Sequence, residues 1–152
     1  MELEVVQGNI VKESTDAIVN AANEGMLHNG GVAEAILDSA GPAIRIECDA
    51  HVQAHGKVPT GKCISTSSGH LDCKHIIHTV GPIWDLKTPG QAYLLHKAVY
   101  RSLAKANELK CKSVSLPAIS SGTYRFPKPL CAEVFYLAVK EFVSDMTDEE
   151  EE

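Results

Sequence analysis

Two short segments of the chain carry residue types suited to holding an anion with backbone alone. One is Asn20-Ala21-Ala22-Asn23 followed by His28-Asn29-Gly30-Gly31-Val32; the other is Ser120-Ser121-Gly122-Thr123-Tyr124. Glycine lets backbone approach a ligand closely, and free N–H groups at a helix start can wrap an anion without lysine or arginine. Taken singly, each segment also reads as an ordinary tight turn. Their common design, each following a strand and preceding a helix, is what points to a site beyond the carboxyl ends of a sheet.

The other candidate groupings carry less. His51 and His55 are four residues apart and share a helix face, but a metalloprotease would need glutamate beside the first, where Val52 stands. His75 and His78 fall on opposite sides of a strand. No metal site and no cofactor are expected. Cys131, near the start of the last helix, lacks a histidine partner motif and reads as a buried structural thiol. Glu24 and Glu34 read as surface carboxylates, and Trp84 as a residue packed at a loop edge.

The segments between these groups supply the elements that must position them. Glu2–Val6 alternates acidic and apolar residues with the period of a half-buried strand. Ala17-Ile18-Val19 reads as a short buried strand, and strands follow around 63–66, 74–80 and 114–116. Helices are expected after Gly31 (Val32, Ala35, Ile36 and Ala40 inward), over about 43–54 (Ile44, Cys48, Val52) and between Thr88 and Leu109 (Ala92, Leu95, Val99, Leu103, Ala106). A last helix opens near Pro129 with Leu130, Val134, Leu137 and Ala138 inward. Strands alternating with helices imply an α/β layer fold with a largely parallel sheet.

Composition bounds the function. The chain has 152 residues, 44% hydrophobic and 22% charged, which suits one globular domain with a core that needs no disulfide or metal. Five cysteines lack zinc-type spacing, so reduced thiols in an intracellular compartment are expected. No apolar run is long enough for a membrane span, and the N-terminus lacks the basic and apolar regions of a signal peptide. The net charge of −6 is carried by six acidic residues in the last eight positions, which read as a solvated end. The remaining body is formally neutral and offers no basic stripe for nucleic acid.

The series Gly8-Asn9-Ile10, Asp16-Ala17-Ile18-Val19-Asn20-Ala21-Ala22-Asn23, Gly30-Gly31-Val32, His78-Thr79-Val80-Gly81-Pro82 and Pro117-Ala118-Ile119-Ser120-Ser121-Gly122 resembles the macro domain family in order and spacing, from about Leu3 to Phe142. The run Cys73 to Pro82 and the Ser120–Tyr124 loop are similar to macro domains found beside poly-ADP-ribosyltransferase domains. The resemblance implies a three-layer α-β-α fold with a mostly parallel central sheet, a single domain over residues 1–144 and an acidic tail at 145–152. It also implies a binder of ADP-ribose or ADP-ribosylated proteins; a monomer is expected, with no membrane and no specific nucleic-acid partner. In that reading the diphosphate lies between Gly30-Gly31-Val32 and Ser120, Ser121, Gly122, Thr123 and Tyr124. Ala22 and Asn23 border the pocket, Asn23 reaches the distal ribose, and Tyr124 packs against it. Asn9 and Ile10 meet the adenine.

Three positions depart from the family pattern. Asn9 stands where aspartate commonly reads adenine, which implies weaker adenine binding. Ala33 stands where hydrolytic members of one branch carry aspartate, and Asn29 replaces the first glycine of that motif. The primary reading is therefore a reader of mono-ADP-ribosylation. The alternative is a mono-ADP-ribosyl hydrolase acting on carboxylate linkages, with Asn23 and Gly31 as its catalytic residues and water placed by the glycine loop and the substrate's own phosphate. The family's last strand and helix are also missing, so the sheet either closes up or leaves part of the adenine wall open.

Overall fold

Ala17–Ala22 forms the first strand, β1, and its β-branched and small residues are buried from both sides, as the middle of a parallel sheet demands. The computed structural model describes residues 1–151. Strands β2 (Cys63–Thr66), β3 (His75–Val80) and β4 (Val114–Ser115) complete a sheet of order β2-β3-β1-β4. β1 runs parallel to β3 and to β4, and only β2 is antiparallel. The register sets Asn20 opposite His78 and Ala22 opposite Val80, so β1 and β3 end level with each other.

Alternation along the strands divides the core into two layers. Ala17, Val19 and Ile77 face α3 (Gln91–Glu108) and α4 (Lys128–Glu151), where they meet Leu95, Val99, Leu103, Val134 and Ala138. Ile18, Ala22, Ile76 and Val80 face α1 (Gly31–Ala40) and α2 (Ala43–His55), where they meet Ile36, Ala40, Ile44 and Cys48. The protein is a three-layer α/β fold with a mostly parallel sheet.

The expected strand Glu2–Val6 does not form. That segment lies outside any sheet, with Leu3, Val5 and Val6 61%, 92% and 63% exposed. Alternation gives a strand its preference, but a strand also needs a neighbour to hydrogen-bond. Among the described residues no strand follows α4, and β4 is two residues long with no partner on its outer edge. The sheet has not closed up; it stops at β4.

A few single positions on the helix faces differ from expectation. α1 buries Ile36 and Ala40 as expected, together with Ala33, while Val32 and Ala35 are exposed. Ala92 is exposed in the first turn of α3, and Leu137 is 48% exposed on α4, whose inner face is Cys131, Val134, Ala138 and Phe142. α4 continues without a break through Asp145, where Tyr100 on α3 donates a hydrogen bond to Oδ2 at 2.5 Å. A second tie between these helices joins His96 Nε2 and Glu141 Oε2.

Candidate functional site

The first loop leaves β1 at Asn23. Its Oδ1 accepts the N–H of Leu27 at 3.0 Å and its carbonyl accepts that of Met26 at 3.1 Å, which closes a turn directly beyond the strand. The chain then enters the left-handed region repeatedly, at Met26 (φ 56°), His28 (φ 52°), Gly30 (φ 89°) and Gly31 (φ 60°). Met26 and His28 tolerate this costly conformation because both side chains are buried beneath the loop, at 0% and 2% exposure. α1 starts from Gly30 with no side-chain cap. The N–H groups of Gly31, Val32 and Ala33 find no partner among the described residues, while that of Gly30 is held by Glu34 Oε2 at 3.1 Å.

Beneath this loop is a buried polar cluster that the sequence motifs did not single out. Asn20 on β1 and His78 on β3 are partners across the sheet, and both point into the α1/α2 layer. The Asn20 carboxamide donates from Nδ2 to Nδ1 of His78 at 3.0 Å and to Nδ1 of His28 at 3.3 Å. With both Nδ1 atoms accepting, each Nε2 carries the proton: His78 donates to Thr66 Oγ1 at 2.9 Å and His28 to Cys48 Sγ at 3.2 Å. Thr66 passes its own proton to the Ser67 carbonyl. Burial holds the His78 ring pKa down at about 3, lowers that of His28, and pushes the Cys48 thiol up to about 12, so all three are neutral. His28, Cys48 and His78 are of the types that ligate zinc, yet every ring nitrogen already has a protein partner. The cluster ties the left-handed His28 to the sheet. The signal for it lay in the alternation, since Asn20 and His78 occupy the apolar phase of their strands.

The second loop follows β4. Ile119 and Phe126, each 1% exposed, anchor its ends in the α3/α4 layer, and Trp84 meets Phe126 edge-on at 4.9 Å. Between them Ser120 adopts φ 68° and its carbonyl accepts Phe126 N–H at 2.9 Å. Ser121 turns both its N–H and its hydroxyl onto the Ala118 carbonyl. The N–H groups of Gly122, Thr123 and Tyr124 have no partner among the described residues, and the buried Ser120 Oγ has none either. This loop lies hard against the end of β3: a Cβ on Gly81 would overlap Ser120 Oγ and Ile119 Cγ2, so only glycine fits there.

Both loops thus sit at the carboxyl end of the sheet with unpaired N–H groups. Asn23 and Tyr124 come together on the wall of one cavity, which Gly30, Gly31, Val32 and Ser120–Thr123 do not line. Ala22 is buried, so only its backbone can face a ligand. Asn9 caps a one-turn 3-10 helix, Ile10–Lys12, by accepting Val11 N–H at 3.2 Å, and Ile10 packs on the α1/α2 core. His51 and His55 stack on α2 with ring centres 4.8 Å apart, and all five cysteine thiols are free. No helix among the described residues is long and apolar enough to cross a membrane.

Comparison with known proteins identifies relatives of this chain. The Macro domain family model matches residues 19–135. An uncharacterized Thermotoga maritima protein is 48% identical over 147 residues, 97% of this chain but 24% of that protein. The human protein mono-ADP-ribosyltransferase PARP14 is 40% identical over 138 residues, 90% of this chain and 8% of that protein. Among solved structures, an Oceanobacillus iheyensis macrodomain with ADP superposes with a TM-score of 0.86 at 38% identity, covering 91% of this chain and 74% of that one. A Trypanosoma brucei macrodomain in complex with ADP-ribose gives 0.82 at 29% identity, covering 91% and 56%. With the family model matched over most of its length and relatives at 40% identity or more, the chain belongs to the macro domain family.

Proposed function

We propose that the chain binds ADP-ribose, free or attached to proteins, between its two loops, and acts as a reader of mono-ADP-ribosylation. The observation that carries this is the set of unpaired N–H groups at Gly31–Ala33 and Gly122–Tyr124, held at the carboxyl end of the sheet by left-handed backbone. Such donors bind phosphate oxygens through charge-assisted bonds, about twice as strong as neutral ones. In related solved macrodomains the ligands are ADP and ADP-ribose. Asn23 keeps its Nδ2 free for ribose hydroxyls, since only Oδ1 is engaged by the turn. Asn9 and Ile10 serve the adenine end.

The reader is favoured over the hydrolase by what surrounds the linkage. Ala33 is buried and offers no group to water. Of the carboxylates beside the loops, Glu24 is engaged through Oε1 by Thr60 and Glu34 through Oε2 by Gly30 N–H. The protein works as a monomer in an intracellular compartment, which suits its free thiols.

Calorimetric titration of ADP-ribose into the wild type and Gly31→Glu tests the site. A carboxylate facing the diphosphate should weaken binding roughly a hundredfold; equal binding by the two proteins rejects it. A mono-ADP-ribosylated acceptor whose label stays constant over hours supports the reader, and its loss establishes the hydrolase.

A further inference from the structure

Asn23 and Tyr124 form one wall of a cavity of about 590 Å³, within the size range of small-ligand pockets. Its floor is the buried turn Val80-Gly81-Pro82, and its rim carries Leu27 and Ile83, 55% and 62% exposed. The charged lining is two carboxylates, Glu24 and Asp85, against one ammonium, Lys57. Asp85 is spent on its own turn, accepting from Lys87 N–H and Thr88 Oγ1. Glu24 is held differently. Its Oε1 accepts from Thr60 N–H and Oγ1 at 3.3 and 3.2 Å, and its carbonyl accepts Val58 N–H at 2.9 Å. Those bonds fix the carboxylate on the cavity wall and leave Oε2 without a partner among the described residues.

We infer that this cavity is an acceptor subsite, taking the peptide segment to which ADP-ribose is attached, and that Glu24 selects a basic residue beside the modified one. The inference rests on the ADP-ribose reading, which sets the distal ribose at Asn23 and Tyr124. Whatever is joined to that ribose enters the cavity next. A peptide brings apolar atoms for Leu27 and Ile83 and, with lysine or arginine, a cation for Glu24. An ADP-ribose polymer would instead bring a second diphosphate towards a lining with a carboxylate excess, which repels it.

The test is calorimetric, with four ligands: free ADP-ribose, a short ADP-ribose oligomer, a peptide bearing one ADP-ribose through a hydrolysis-resistant linkage with lysine next to it, and the same peptide with glutamate in that place. The lysine peptide should bind the wild type about tenfold more tightly than free ADP-ribose. It should exceed the glutamate peptide about threefold. Glu24→Gln should abolish the preference for lysine while binding free ADP-ribose no more weakly. Ile83→Ser, at an exposed position that the fold does not need, should remove most of the peptide's advantage. Equal affinity for peptide and free ADP-ribose overturns the subsite. So does tighter binding of the oligomer, or a lysine preference that survives Glu24→Gln. If free ADP-ribose itself does not bind the wild type, the loop reading falls first and the subsite with it.

Discussion

The two loops that meet at the end of the sheet are held by opposite chemistry. The loop around Ser120–Tyr124 is pinned by Ile119 and Phe126, apolar side chains sunk among Leu95, Val99 and their neighbours in the α3/α4 layer. The loop around His28–Gly31 is pinned by an imidazole that enters a hydrogen-bonded cluster with Asn20, His78, Cys48 and Thr66. Apolar burial is strong but non-directional, so it holds a loop down without dictating which way each peptide points. A buried network does dictate, because each proton has one place to go and a missed bond is costly. The first loop carries the greater density of left-handed residues, and it is the one given the directional anchor.

Removing the apolar anchor should have the largest effect. Phe126→Ala deletes a fully buried ring and should cost about 4 kcal/mol in urea unfolding. A loss under about 1 kcal/mol would show that the second loop is held by something other than this contact. The polar anchor should respond to acid instead. His78 has a folded pKa of about 3 against an ordinary 6.5, so the unfolded chain takes up a proton that the folded protein excludes. Its stabilising contribution is complete above pH 6.5 and declines as pH falls towards 3, with His28 acting in the same direction. Between pH 7 and pH 5 the protein should lose about 2 kcal/mol, and Phe126→Ala should show the same slope from a lower start. A flat profile over that range would mean that the cluster accepts protons without opening, and the contrast between the two anchors would fail.

What could be read from the sequence followed the same division. Apolar periodicity placed β3 and three helices within a residue or two, because burial of a stripe decides those elements locally, but it stopped β1 at Val19 whereas the strand continues through Asn20 to Ala22. It failed at Glu2–Val6, where the pattern was right and the neighbouring strand absent, since pairing is a property of the sheet rather than of the segment. In α1 it placed Ile36 and Ala40 correctly but put Val32 and Ala35 inward, where Ala33 is the buried residue of the first turn. The glycine loops were legible as motifs, and both carry N–H groups without a partner among the described residues. The cluster beneath them was not, because Asn20, His28, Cys48, Thr66 and His78 come from five separate stretches of chain. The alternation marks Asn20 and His78 as inward-facing, and the register that sets them side by side shows that they meet.

The contrast between the loops extends to their donors, and it sets the smallest of the predicted effects. In the second loop Ser121 N–H is bonded to the neutral Ala118 carbonyl, whereas in the first loop Gly30 N–H is bonded to the Glu34 carboxylate. An acidic side chain at a helix start stabilises it through the same field that attracts phosphate, by about 0.3–1 kcal/mol. Glu34 therefore does in the unliganded protein part of what a diphosphate would do, and its charge opposes that ligand's arrival. Glu34→Gln keeps a side-chain acceptor within reach but removes the charge. Its unfolding free energy should drop by about 0.5 kcal/mol while ADP-ribose affinity rises about twofold, the two changes being opposite consequences of one lost charge. Stability and affinity falling together would show that Glu34 shapes the loop for the ligand, and that the first loop depends on its carboxylate as well as on the cluster below.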